Sequence, residues 1–367
     1  MGSRFASAAS RQRLHGGAQR RMDRGGEFWS MPSRLSVHTG RDEMLRDELV
    51  TVFGGSGFVG KYVVRELARR GYRIRVATRR PHLAHELKVM GVVGQVQLVQ
   101  ANLRVEASVE RAVEGASAVV NLVGVLAEGG RQTFARLHSM GAETVARAAA
   151  KAGAKRFIQI SAIGADQDSD SRYARTKGEG EALVKAAFKG ATIMRPSIIF
   201  GTEDGFFNRF AGMASLPFVP ALPLIGGGKT RFQPVWAGDV ADAVANAIQT
   251  PATAGKTYEL GGPKVYTFKE LMEFILETTD RKRFLIPVPF PIATALGLMG
   301  EIAGMLPLVD PFLTRDQVTQ LKSDNVVAPR AKGIEDLGVT PQTVEAIVPA
   351  YLVPYRDKGQ FHQRAAG

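Results

Sequence analysis

A doubly wound parallel α/β sheet with a small C-terminal α/β lobe is the fold class this sequence predicts. Three observations point there. From residue 48 onward, short β-branched runs alternate with helical stretches, at the roughly 10–15-residue spacing that right-handed βαβ crossovers produce. The runs VVNLVGV and FIQIS are almost continuously hydrophobic, as strands covered on both faces are. A glycine triplet joins the first run to the first helical stretch.

The elements follow in order. Residues 49–53 are predicted as a strand, 59–70 as a helix and 73–78 as the second strand. Further strands are expected at 96–100, 118–122, 157–160 and 191–199, with helices between them. After Gly201 the pattern loosens, because Pro217, Pro220 and Pro223 break the chain and a GGGK turn follows. A helix returns over 239–248. The domain reading is a basic leader at 1–47, a nucleotide-binding domain at 48–255, a lobe at 256–350 to which 204–232 contribute, and a tail at 351–367. FKELMEFIL has the apolar spacing of a helix packed on a core.

Composition bounds the function. The chain has 367 residues with 45% hydrophobic and 23% charged, a normal globular balance. It has no cysteine, which excludes disulfides, thiolate metal sites and a thiol nucleophile. The net charge of +13 favours anionic partners. No basic run is interleaved with stacking aromatics, so nucleic acid is not an expected partner. The six histidines show no metal-ligand spacing. His82 and His85 read as surface residues of a helix. The first 21 residues are Arg-rich and acid-free. They are either an organelle transit peptide or a disordered extension, with Met31 or Met44 as a later start. No apolar run is long and Pro-free enough to span a bilayer.

The first strand runs into Gly54-Gly55-Ser56-Gly57-Phe58-Val59-Gly60. Gly54 permits a tight turn, Gly57 lets backbone N–H groups approach a pyrophosphate, and Gly60 lets the helix pack close. The helix N-terminus favours that anion. This is the signature of a Rossmann-type dinucleotide site. The second strand ends Ala77-Thr78-Arg79-Arg80, with no carboxylate for a ribose 2′-hydroxyl. Arg79 is suited to a 2′-phosphate, so NADP(H) is expected ahead of NAD(H). By their positions past the next strands, Asn102 and Leu103 flank the adenine, and Val123 and Gly124 lie near the inner ribose.

Tyr173 and Lys177, four apart, share one helix face. A nearby ammonium would lower the phenol pKa and fit it for proton transfer. Ser161 ends the preceding strand, where its hydroxyl would bond a substrate carbonyl. GGSGFVG, SAIGA, YARTK and MRPSIIFG, in this order, resemble the extended and atypical branches of the short-chain dehydrogenase/reductase superfamily. The resemblance implies Tyr173 as acid, Lys177 as ribose-binding base, Ser161 as the substrate-orienting hydroxyl and Pro196 beside the nicotinamide. FQPVWAGDVADAV, with Asp239 at a helix start, resembles a later signature of those branches, and TYELGGPKVYTFKELMEFI resembles their C-terminal lobe. By the same resemblance, Arg231 stands near the place of a substrate-phosphate contact in nucleotide-sugar members.

A narrower resemblance covers roughly residues 48 to 327. LVTVFGGSGFVGKYVVRELARRGYRIRVATRRP, VQANLR, VVNLVGVL, YARTK and TRFQPV are similar to the nucleotide-binding accessory subunits of respiratory complex I, of alpha subcomplex subunit 9 type, in bacterial form. That implies a tightly held NADPH, an assembly or stability role without turnover, complex I subunits as partners, and a peripheral place on the cytoplasmic or matrix face. One departure is His138, which stands where extended members usually carry Asn; it reads as a packed or solvated helical residue ahead of a catalytic substitute, and the missing Asn counts against full dehydrogenase chemistry. Two other functions stay open: a working NAD(P)-dependent reductase or epimerase on a carbonyl or nucleotide sugar, and a redox-sensing module. Residues 284–313 carry only Glu301 and Asp310 as charges. They form either the core of the lobe or, around 292–306, an exposed apolar face for a partner or membrane surface.

Overall fold

Alternating side chains build the sheet. In β1 (Leu49–Phe53), Val50 and Val52 serve one face and Thr51 and Phe53 the other, and all four are buried, as a strand covered on both sides requires. The computed structural model describes residues 46–359 apart from 126–127, 129–132, 304–312 and 358. The predicted leader up to residue 45 and most of the tail lie outside the described residues. Strands β2 (Arg73–Thr78), β3 (Val96–Gln100), β4 (Ala118–Asn121), β5 (Arg156–Ile160) and β6 (Thr192–Pro196) join β1 in one seven-stranded sheet, with Thr257–Leu260 at an edge. The order is Thr257–Leu260, β6, β5, β4, β1, β2, β3, and every pairing is parallel. The direction of winding reverses between β1 and β4, so a crevice opens there at the carboxyl ends of the strands.

Both faces are covered. Helix α1 (Phe58–Arg69) buries Val63, Val64 and Leu67 on one face, where Val240 and Val244 of Ala237–Gln249 join the same core as Val50 and Val52. On the other face, α2 (Glu106–Val113), α3 (Met140–Lys151) and α4 (Arg172–Ala187) pack on Phe53, Val119 and Phe157. Each such aliphatic side chain contributes about 1.5–3 kcal/mol when fully buried.

The expected strand at 191–199 divides. Pro196 completes the register opposite Leu260, Ser197 N–H donates to Leu260 O, and the Ser197 hydroxyl then turns to Asn325. Ile199–Phe200 instead pairs with Val235–Trp236, away from the main sheet. The expected helix bearing His82 and His85 is two 3₁₀ turns, Pro81–Leu83 and His85–Met90, with both histidines exposed as expected.

Beyond the sheet, α5 (Phe207–Ser215) flanks a second core, whereas α6, the Ala237–Gln249 helix, packs on the first. The second core joins Phe200, Phe207, Phe232 and Leu222 to Phe268, Leu271 and Ile275 of α7 (Phe268–Thr279). Thr267 caps α7 reciprocally with Glu270, the two-donor arrangement of a capping box. The strand Phe284–Val288, parallel to Ala221–Ile225, leads into α8 (Phe290–Ala303). Only Ala293 and Gly297 of α8 are buried, whereas Ile292 is 55% exposed, Met299 66% and Ile302 57%. The lobe-core alternative therefore fails for most of this helix, because Phe290 at its start and a narrow side of small residues pack inward while the other large apolar residues stay exposed. Residues 304–306 lie outside the described residues. Short α9 (Arg315–Gln320) and α10 (Val344–Tyr351) close the chain. No helix among the described residues is long and apolar enough to cross a membrane.

Candidate functional site

Every residue assigned above to the nucleotide or to the chemistry borders one cavity of about 1080 Å³ at the carboxyl ends of the central strands. Its floor is the glycine loop. Gly54 has φ +77°, a conformation that favours glycine, and its carbonyl accepts from Gly57 N–H at 3.0 Å. A Cβ on Gly60 would fall 2.2 Å from Gly54 O, so this glycine is required by helix packing. A Cβ on Gly57 would meet nothing closer than Gly54 O at 3.4 Å. The fold therefore does not demand glycine at 57, but a close-approaching ligand would. Gly57 also begins α1 with no side-chain cap and no acidic residue in the first turn, which leaves the helix end suited to an anion.

The remaining predicted contacts stand around that floor. Arg79 is exposed at the end of β2 and forms no ion pair with a carboxylate among the described residues. Asn102 Oδ1 accepts from the Arg104 backbone N–H at 3.2 Å. Leu103 packs where a Cβ on Gly141 would meet it at 3.1 Å. Val123 N–H donates to Asn121 Oδ1, and Asn121, fully buried, donates in turn to Gln159. A Cβ on Gly124 would lie 3.1 Å from Lys177 Nζ, so the lysine reaches the place expected for the ribose. Pro196 carries the carbonyl that accepts from Ile163 N–H.

Three polar groups converge at the reactive end. Ser161 is 4% exposed, and its Oγ is buried with no hydrogen-bond partner in the described protein. A buried hydroxyl left unpaired is costly unless something else satisfies it. Lys177 Nζ donates to Ile160 O at 3.4 Å and lies 5.8 Å from the Tyr173 ring centre. Burial lowers the Lys177 ammonium to about 8. The expectation that this ammonium lowers the Tyr173 phenol is not met. Burial first, and then the Asp316 carboxylate, push that phenol up to about 12. Near neutral pH it is a proton donor rather than a base.

His138 is a residue whose role the sequence left undefined. It sits in a π-helical turn, Ala135–Ser139, and its Nε2 accepts from Val125 N–H at 3.1 Å. Nδ1 then carries the proton and faces Thr176 Oγ1 at 3.2 Å. The ring stacks on Phe134 and meets Tyr173 edge-on. Burial first, then Lys177, lower it to about 3, so it is neutral. Its place is structural: it holds the Val123–Val125 loop against α4. Asp316 of α9 was not foreseen at all. It accepts from Arg172 N–H at 2.6 Å, from Tyr173 N–H and from Ser171 Oγ, capping α4 just where Tyr173 stands. Arg231, in contrast, is not in the cavity lining. Its exposed guanidinium pairs with Asp324 at 2.7 and 2.9 Å instead.

The glycine cradle, the uncapped helix start and the orphaned Ser161 hydroxyl fit a dinucleotide with its reactive ring at the Ser161–Tyr173–Lys177 end. The pattern of the NAD dependent epimerase/dehydratase family matches residues 50–261. The chain is 35% identical to the mitochondrial NADH dehydrogenase [ubiquinone] 1 alpha subcomplex subunit 9 of Arabidopsis thaliana, over 88% of this chain and 81% of that one. It is 31% identical to a ceramide reductase of Caulobacter vibrioides, over 68% of this chain and 77% of that one. Among solved structures, the Citrobacter triphenylmethane reductase complexed with NADP(H) superposes with a TM-score of 0.64, covering 82% of this chain and 99% of that one. At 19% identity this last likeness concerns the fold alone.

Proposed function

The chain belongs to the NAD-dependent epimerase/dehydratase family, and on that premise we propose that it is a nucleotide-holding, non-turnover accessory subunit of respiratory complex I. The observation that carries this reading is the 35% identity to alpha subcomplex subunit 9 over most of both chains. The nucleotide is NADP(H): Arg79 stands without a carboxylate partner among the described residues at the end of β2, where an NAD site needs an acid. In this reading the Gly54–Gly60 loop, with Ser56, Phe58 and Val59, holds the pyrophosphate. Asn102 and Leu103 flank the adenine, Val123, Gly124 and Lys177 hold the riboses, and Pro196 lies beside the nicotinamide.

The location that goes with this is peripheral, on the cytoplasmic or matrix face of the inner membrane. The exposed apolar side of α8 supports a docking role there. The engagement of His138 by the Val125 backbone, where extended members usually carry Asn, favours holding over turnover. The test is the variant Tyr173→Phe in the assembled complex. Complex I stability and bound NADPH stay at parental levels if the chain only holds its nucleotide.

One observation favours a second reading as a reductase. The Ser161 hydroxyl has no hydrogen-bond partner among the described residues and shares its cavity with Tyr173 and Lys177. When bound, a nicotinamide supplies or accepts hydride. Ser161 would orient a carbonyl and Tyr173 would give its oxygen a proton. Tyr173-dependent oxidation of NADPH by a defined carbonyl compound decides for this reading.

A further inference from the structure

The glycine-loop half does not exhaust the cavity. At about 1080 Å³ it reaches the upper end of the roughly 300–1,000 Å³ that one ligand occupies. Past Pro196 its wall turns aromatic. Phe206, Phe210, Phe232 and Phe268 border it, with neighbouring ring centres 5.2 Å (Phe206–Phe210), 5.6 Å (Phe210–Phe268) and 6.1 Å (Phe206–Phe232) apart. Such a wall offers a ligand apolar surface and few hydrogen bonds. Ile225, Leu313 and Leu321 extend it, and these three pack in the same small cluster as Ala293 of α8. The inner side of α8 thus backs the cavity wall, while its outer side is exposed and apolar.

We propose that the aromatic half binds the aliphatic chain of a membrane-derived amphiphile, whose oxygen-bearing end lies toward the Ser161 hydroxyl, which has no partner among the described residues. The proposal rests on the nucleotide reading of the other half, which leaves this half to a second ligand. The competing occupant is a nucleotide sugar. Recognition of its diphosphate calls for basic side chains; Arg209 and Lys322 border the cavity, and Asp166, Asp170 and Asp324 border it as well. A four-ring apolar wall fits an alkyl chain better than a hydroxylated sugar.

The experiment uses the full chain, titrated with cis-parinarate, a fluorescent long-chain fatty acid, with and without saturating NADPH. NADPH affinity is measured separately on the same samples. Saturable binding, displaced by hexadecanol and not by UDP-glucose, is expected in both conditions. Phe210→Asp should weaken it by roughly tenfold or more, because a carboxylate then faces the chain. Phe210→Leu should stay near the parent. Phe210→Trp, which adds bulk without charge, should weaken binding even if the Asp variant does not fold. Leu298→Asp, on the outer side of α8, should leave the affinity unchanged. A parent that binds NADPH but shows no saturable parinarate binding overturns the proposal. So does displacement by UDP-glucose, or an affinity that follows Leu298 rather than Phe210. Failure of the parent to bind NADPH overturns the nucleotide reading instead, and the titration without NADPH still judges this one.

Discussion

At the residue scale, charge decides the nucleotide and burial decides the chemistry. Arg79 has the exposure to meet a 2′-phosphate, and a charge-assisted contact of that kind is worth about 1.5–3 kcal/mol. Arg79→Ala should therefore weaken NADPH roughly tenfold to a hundredfold while leaving NADH unchanged, as read by titration. Equal affinities of the parent for both nucleotides would contradict the assignment. Two buried bases give the protein two pH dependences, one of stability and one of nucleotide affinity. The folded His138 is lowered to about 3, whereas an unfolded histidine titrates near 6.5, at its ordinary value. Between these values the unfolded chain binds more protons, so stability is full above about 6.5 and is lost as pH falls, by up to about 1.4 kcal/mol per unit. His138→Asn should flatten this slope in thermal melts between pH 4 and 7. Lys177, lowered to about 8, loses its ammonium as pH rises. If that ammonium meets the ribose, nucleotide affinity falls above about pH 8 and Lys177→Met removes the dependence. The roles of Ser161, Tyr173 and Lys177 were suggested by type, spacing and the family resemblance, but the Tyr173 shift was expected in the wrong direction. That shift depends on burial and on Asp316, which lies 143 residues away along the chain.

At the scale of elements, the glycine loop separates what folding needs from what a ligand needs. Gly60→Ala puts a Cβ within 2.2 Å of a backbone oxygen, and overpacking of that kind costs about 1–3 kcal/mol or more. It should lower the melting temperature and nucleotide affinity together. Gly57→Val has room within the protein beyond 3.4 Å for its Cβ. It should leave the melting temperature of the free protein nearly unchanged while blocking both NADPH and NADH. The strands and the βαβ order were legible because their hydrophobicity is nearly unbroken and glycines punctuate it. Boundaries drifted by one or two residues where caps are weak: α1 begins at Phe58 and α6 at Ala237, each preceded by a residue without a side-chain cap. The break after Pro196 was hidden, since residues 191–199 remain apolar while hydrogen bonds to Leu260 and Asn325 redirect the chain. The link from α9 to α4 through Asp316 left no local trace in either segment.

On the scale of the whole molecule, one sheet presents a nucleotide cradle and one helix presents an apolar side. The composition of residues 284–313 fitted either a core or a docking face, and packing separated the two for α8: small residues at 293 and 297 face inward with Phe290, and the other large ones face out. Leu298 is 43% exposed, so Leu298→Asp should leave the melting temperature within about 0.5 kcal/mol equivalent of the parent and NADPH bound. The same variant should lose co-sedimentation with membranes. A folded variant that sediments as well as the parent would count against docking through α8. The central claim is tested most directly by native purification of the tagged chain from gently solubilised membranes, with the bound nucleotide extracted and identified. The account predicts that the chain migrates with complex I subunits and carries NADP(H) in near one-to-one amount. Recovery of the chain free of complex I, or with NAD(H) or no nucleotide, would contradict it.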